Sequence, residues 1–358
     1  FSISTKFDIK KFYVLNNLEC IDKNWSKIYD KEPSHESVNY ISDLIGNNEK
    51  LIISYEISPI FIKIFNLLKI DYLDMRIASI KYLDDLVIGF KTNKKDVFNK
   101  ILTYKVPETQ FELEASLLKA RNLLVSQNLE KSHIKSAVFA GQAYGDASLI
   151  KDGKILSILD FKKDFEKKTK EFDIIYYKKH PSEREDALNY EFVKNFKNVE
   201  IINTNIYYLM SCDNIKEFFA ISSGTSQEAE FFGKQTDCFY KSIYQFVRDG
   251  EVEFSSDKYI SIYRKYFEPN FWADILSPIM KTKKVNDIDL APNQSRMRYL
   301  HNIYWGYDSL IKNNNIFYRQ INNTSITELE RKYEKLNNKR MGRKFSILVK
   351  KVRGFFTK

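Results

Sequence analysis

Glycine, proline, cysteine and histidine are all scarce: 11, 7, 3 and 4 residues among 358. So little glycine and proline argues against a linker-rich or low-complexity architecture. Cys20, Cys212 and Cys238 lie far apart, are odd in number and form no CxxC pair. The histidines are as scattered, so neither a disulfide framework nor a structural zinc site is expected, and a reducing cytoplasm suits the chain. Long uncharged apolar runs are missing too. The most apolar stretch, 51–68, carries Glu56 and Lys63 and reads as a strand followed by a helix rather than a membrane span. No signal peptide is visible, and the sequence starts at Phe1 rather than Met.

What is present is enough apolar surface for cores: 43% hydrophobic and 15% aromatic residues. The length exceeds one ordinary core and suits two α/β domains. The net charge of +10 is confined to one end. Residues 331–358 hold eleven Lys/Arg and one acid, Glu334, leaving 46 basic and 46 acidic side chains in the other 330. A neutral body with a basic tail excludes a general nucleic-acid binder, which spreads its basic residues over a folded groove.

The coarse pattern gives an N-terminal Rossmann-like domain over 1–130 and a second over 131–255. A helical segment over 256–325 and a basic tail over 326–358 follow. In the first domain LIIS (51–54), the amphipathic 59–68 and then 70–93 suit a strand–helix–strand series, and 108–130 reads as a helix. The second domain alternates more clearly. Strands are expected at 136–141, 173–181, 199–203, 217–223 and 236–240, with helices at 189–196, 206–212 and 225–233 between them. Such alternation implies a parallel sheet with ligand sites at the carboxyl ends of its strands.

Three short motifs fall at those ends. In KKHP (178–181) the proline holds His180 extended. That aims the imidazole at a phosphate, with Lys178 or Lys179 adding charge, although a loop-capping histidine has the same look. In AISSGTSQEAEFFGK (220–234), Ser222, Ser223, Gly224 and Thr225 can wrap a phosphate at a helix start, and Glu228 can accept from ribose hydroxyls. A plain Ser/Thr helix cap uses the same residues. In GQAYGDASLIKDGK (141–154), Gln142 and Asp146 occupy a loop after a strand. Asp146 there suits either attack on an anomeric carbon or an Asx-type cap. Asp84 and Asp85 lack a third metal ligand in the sequence and read as helix-end or surface residues.

The ordered set G-Q-x-x-G-D-A-S-L, K-K-H-P and S-S-G-T-x-x-E-A-x-x-x-G-K resembles bacterial retaining β-Kdo transferases of the capsule and lipopolysaccharide polysaccharide synthesis family. (Kdo is 3-deoxy-D-manno-octulosonic acid.) It covers about residues 136–240, and 70–93 more loosely. The resemblance implies a GT-B fold, two Rossmann-like domains facing across a cleft, and CMP-Kdo as donor substrate with no metal or other cofactor. It makes Asp146 the nucleophile of a covalent glycosyl-enzyme, with Gln142 beside it. His180 helps expel the CMP phosphate, and Ser222 and Ser223 hold phosphate or the sugar carboxylate. An acid/base from the first domain is also implied. Glu56 and Asp74 are its candidates, with Arg76 placed to bind an acceptor or the donor carboxylate, although the acidic-acidic-Gly motif expected there is absent.

In the tail, Phe345, Leu348, Val349, Val352 and Phe356 recur at helical spacing among basic residues, a pattern for lying on an anionic membrane surface. The implied setting is the inner face of the bacterial inner membrane, with a lipid-linked glycan acceptor. Other readings are a sialyltransferase, a CDP-polyol phosphotransferase, a UDP-sugar 2-epimerase, and a non-enzymatic assembly protein with a degenerate site.

Overall fold

The computed structural model describes residues 7–46, 51–123, 134–143, 145–180, 188–241, 244–286 and 297–298. The basic tail and its amphipathic pattern lie outside them, as does Pro181. Three helices open the chain: α1 (Ile9–Leu15), α2 (Trp25–Tyr29) and α3 (His35–Ile45). Then come β1 (Leu51–Tyr55), α4 (Pro59–Leu67), β2 (Asp71–Ile77), β3 (Val87–Thr92), α5 (Lys95–Leu102) and α6 (Glu108–Arg121). The second half runs β4 (Ser136–Ala140), the small hairpin β5 (Ile150–Lys151) and β6 (Lys154–Ile155), α7 (Lys162–Glu171), β7 (Ile174–Lys178) and α8 (Leu188–Val193). It continues with β8 (Val199–Ile202), α9 (Ile206–Ser211), β9 (Ile215–Ala220), α10 (Thr225–Phe231) and β10 (Gln235–Cys238). Finally β11 (Gln245–Phe246), β12 (Lys258–Tyr263) and α11 (Pro269–Leu276) return to the first half.

The expected α/β architecture of two sheets is present. One five-stranded sheet has the order β10-β9-β4-β7-β8 and is parallel throughout. The other has the order β1-β2-β3-β12-β11 and is mixed, with β3 antiparallel to both its neighbours. Their central strands explain themselves. SAVFA of β4 and VIGFKT of β3 are buried at every position, as near-continuous apolar runs with helices on both faces must be. Phe139 stacks between Tyr177 and Phe219 on the adjoining strands, with centroids 5.5 and 5.2 Å away. This aromatic row packs on Phe165 of α7 and pins the register of three strands, because a one-residue slip would turn the rings to the other face. In the first half, Pro59 at the first position of α4 presets the helical φ, and Ile60, Ile64 and Phe65 pack towards Tyr72.

One expectation is corrected. The segment after residue 255 does not begin as a helix; residues 258–263 form β12, paired antiparallel with β3. Tyr259, Ile262, Tyr263 and Tyr266 satisfy helical spacing, but Tyr259, Ile260 and Ile262 are aromatic or β-branched and wholly buried, which suits a central strand. The first sheet is therefore completed by residues from both ends of the described chain. Asp85 also differs from its surface reading: it is 1% exposed and accepts from the Leu86 amide at 2.8 Å, while Asp84 pairs with Tyr263 and Arg264.

The returning strand is fastened by Asp74. Its fully buried carboxylate accepts from Tyr259 Oη (2.6 Å), Ser54 Oγ (2.8 Å) and the Ile57 amide (3.0 Å). Tyr259→Phe removes one of these partners and should cost about 2 kcal/mol, since a buried acceptor loses a bond it cannot replace from water. Denaturant unfolding at constant slope measures this, and an unchanged midpoint would show that Asp74 does not anchor β12.

Candidate functional site

The second sheet's topology dictates where its loops meet. From β4 the chain goes outward through β7 to β8, then crosses back to β9 and β10, so β4 lies at the switch point. In register, Ala140 faces Lys178 on one side and Ala220 on the other. Two residues further along each strand stand Gln142, His180 and Ser222. Three separate motifs thus reach the same edge at the same offset, with strands roughly 4.8 Å apart.

Gln142 and Ser222 are locked into each other. Gln142 Oε1 accepts from the Ser222 amide at 2.7 Å, and its Nε2 donates to Ser222 Oγ (3.3 Å) and Ser148 Oγ (3.2 Å). Ser222 Oγ donates to the Ser148 carbonyl at 2.9 Å. At 5% and 3% exposure both are walls of the site, joining the loops after β4 and β9. Ser148, which pattern reading passed over although it lies inside G-D-A-S-L, completes the clasp. Ser223 and Thr225 are half-buried, joined through their hydroxyls at 3.1 Å.

Asp146 follows a turn closed by its own amide donating to Ala143 O (3.2 Å) and caps residues 147–149 by accepting from the Ser148 amide (2.9 Å). It is half-buried, and its charge reaches both His180 and Glu56. Burial pushes the His180 imidazole below its usual range, Lys81 and Lys178 push the same way, and Asp146 opposes them. An imidazole held down in this way is neutral at pH 7 and donates one hydrogen bond; an arriving anion would favour its protonated form.

The first half contributes Glu56, at the end of β1. It holds a left-handed backbone (φ 53°), which costs a non-glycine side chain energy and is retained where the surroundings enforce it. The enforcing bonds are the Glu56 amide to Met75 O (2.8 Å) and the next amide, Ile57, to Asp74. Burial raises the Glu56 carboxyl, Arg76 opposes this from 4.0 Å, and Asp74 and Asp146 raise it further. Asp74, the other acid/base candidate, is enclosed and occupied by its three partners, so it positions Glu56 rather than facing the site. The Arg76 guanidinium lies on the Tyr244 ring, 3.1 Å from its centroid, and Tyr244 Oη meets Tyr29 Oη at 2.5 Å. No local motif announces these tyrosines.

The two halves meet beside this edge. Glu228 is 4% exposed, and its Oε1 accepts from the Lys81 amide (2.7 Å) and Tyr207 Oη (3.0 Å). That oxygen, expected on ribose hydroxyls, instead ties α10 to the loop after β2. At Gly224 a Cβ would stand 2.7 Å from Ser79 Oγ and 2.8 Å from Ser79 Cβ, which explains glycine there despite its ordinary φ. Helix α2 also reaches across, with Ser26 Oγ donating to Gly153 O at 2.8 Å. A recess of about 380 Å³ between Ser79, Gln227, Phe231 and Phe246 includes none of Asp146, His180 or Glu56.

No family model and no curated protein matches the sequence. Among solved structures, the chain is similar to Thermosulfurimonas dismutans KpsC, beta Kdo 2,7 transferase, at 16% identity, covering 70% of this chain and 86% of that one, with a TM-score of 0.34. It is also similar to the same organism's KpsC, beta Kdo 2,4 transferase, at 15% identity, covering 52% and 67%, with a TM-score of 0.35.

The Gly224–Ser79 approach gives a test of how the halves join. Gly224→Ala should destabilise by about 2 kcal/mol through overpacking, and adding Ser79→Gly should recover most of it. Additive losses in the double variant would mean that the two backbones do not meet in solution.

Proposed function

We propose that the chain is a glycosyltransferase that moves Kdo from CMP-Kdo onto a growing bacterial surface glycan with retention, giving a β-linkage. What supports this reading is that three motifs end at one sheet edge, Gln142, His180 and Ser222 abreast, and that the Asp146 charge reaches both His180 and Glu56. The ordered motifs over 136–240 supply the donor's identity by resemblance.

In the first step an Asp146 oxygen bonds to the anomeric carbon while that carbon's bond to the phosphate oxygen breaks, and the electron pair leaves with CMP. His180 and Lys178 donate to the departing phosphate, with Ser223, Gly224 and Thr225 lining its other side. Gln142 and Ser222 act by fixing the wall of the site. In the second step an acceptor hydroxyl attacks the same carbon and displaces Asp146. Two displacements restore the configuration. Glu56 takes the acceptor's proton, and a carboxyl raised towards neutrality is a better base than an ordinary one. No metal is called for, because the leaving phosphate meets cationic side chains.

The setting belongs to the same proposal. A lipid-linked acceptor and the basic tail over 326–358 favour work on the cytoplasmic face of the inner membrane, with no part for nucleic acid. Among the described residues no helix is long and apolar enough to cross a membrane.

Incubating the protein with CMP-Kdo without acceptor should add the mass of one Kdo residue, and Asp146→Asn should abolish the adduct. Glu56→Gln should keep the adduct and slow its transfer by roughly 10²–10⁴-fold, the usual share of acid–base catalysis. CMP should raise the melting temperature and UDP should not. An adduct that persists in Asp146→Asn, or stabilisation by UDP alone, would refute the assignment.

A further inference from the structure

The recess of about 380 Å³ beside α10 falls within the size range of ligand pockets, roughly 300–1,000 Å³, and the donor chemistry makes no use of it. Its walls come from both halves. Ser79 belongs to the loop after β2, Gln227 and Phe231 to α10, and Phe246 to β11. The Phe246 ring is seated by a glycine. A Cβ on Gly89, in the buried strand β3, would stand 2.8 Å from Phe246 Cε1 and 3.0 Å from Tyr259 Cβ. Glycine inside a strand weakens it and is found where another group must come close. Phe231 is held edge-on to the buried Phe111, with centroids 5.3 Å apart. Phe231 and Phe246 are both only half-buried, so each keeps ring surface for a ligand.

The polar groups of the recess divide in two. Lys105 is committed to Asp249, Arg248 to Glu108 and to both oxygens of Glu230, and Lys258 to Glu251 at 2.8 Å, while Lys241 is exposed. By contrast, the side chains of Gln227 and Ser79 hold no hydrogen bond among the described residues. An amide and a hydroxyl together can both donate and accept. Cations that already hold carboxylates add little pull on an anion. Uncharged donors and acceptors beside aromatic faces instead match a ring with hydroxyls on its edge and C–H groups on its faces. We infer that this recess binds a neutral sugar residue of the acceptor glycan, its ring against Phe231 and Phe246 and its hydroxyls on Gln227 and Ser79. Gln227 precedes Glu228, whose carboxylate holds the Lys81 amide at 2.7 Å, and Ser79 packs on Gly224. Recess and donor motif thus share α10 and the loop after β2. Since the recess includes none of Asp146, His180 or Glu56, the sugar bound there is a unit of the glycan other than the one that receives Kdo. This rests on the glycosyltransferase reading above and names the class of its acceptor.

The test is saturation-transfer NMR on the full chain, with methyl α-mannoside, methyl β-galactoside and N-acetylglucosamine as neutral probes and free Kdo as the acidic one. A neutral probe should bind with transfer from aromatic protons, and CMP should not displace it. Gln227→Ala and Ser79→Ala should each weaken that binding by about three- to tenfold, the worth of one hydrogen bond. Both variants should form the CMP-Kdo adduct at the wild-type rate, which separates a lost sugar contact from a damaged fold. No binding by any neutral probe, binding unaltered in both variants, displacement by CMP, or tighter binding of Kdo at the recess overturns the inference and leaves the donor reading standing. Wild-type protein that forms no adduct with CMP-Kdo fails the donor reading instead, and the neutral-probe titration decides the recess independently.

Discussion

The registry of three parallel strands is the constraint on which the site depends. Tyr177, Phe139 and Phe219 stack as one row on one face of the sheet. Once they do, the strand ends three residues later are fixed relative to one another, and His180, Gln142 and Ser222 stand abreast. Nothing in the loops has to find its partners by chance. The aromatic row lies in the interior, far from solvent competition, so the geometry of a polar edge is set by apolar packing beneath it.

The second dependence is on two buried carboxylates, one within the first sheet and one between the halves. Asp74 binds three groups drawn from β1, the turn after it and the returning β12, so the loop carrying Glu56 and the strand arriving from the end of the described chain share one buried anchor. Glu228 does the corresponding work on the other side, holding the loop after β2. Both are carboxylates, and both are spent on backbone or hydroxyl donors. Acidic residues near the edge therefore divide into those enclosed by partners, Asp74 and Glu228, which position, and the less buried Asp146 and Glu56, to which the proposal gives the chemistry.

Much of the second half was legible in the sequence. Short apolar runs bounded by small or polar residues marked β4, β7, β8, β9 and β10, and His180, Asp146 and Ser222 could be placed at strand ends without coordinates. The pattern did not disclose which way a side chain faces. A serine ending a strand looks the same whether its hydroxyl meets a ligand or, like Ser222, a carbonyl across the loop. It also misjudged β12, where tyrosine and isoleucine spacing satisfies a helix as well as a strand. Two contacts of long sequence separation, Lys81 with Glu228 across the halves and Asp74 with Tyr259 within the first sheet, span 147 and 185 residues, and no local periodicity encodes them.

The account stands on Asp146 and His180 sharing one site in the unliganded protein. Titrating the His180 ring by NMR in wild type and in Asp146→Asn measures this directly. Asp146 holds the imidazole up against burial and two lysines. Neutralising it should therefore move the His180 pKa further down. A His180 titration that is unchanged or moves upward would place the carboxylate elsewhere and remove the nucleophile from the site.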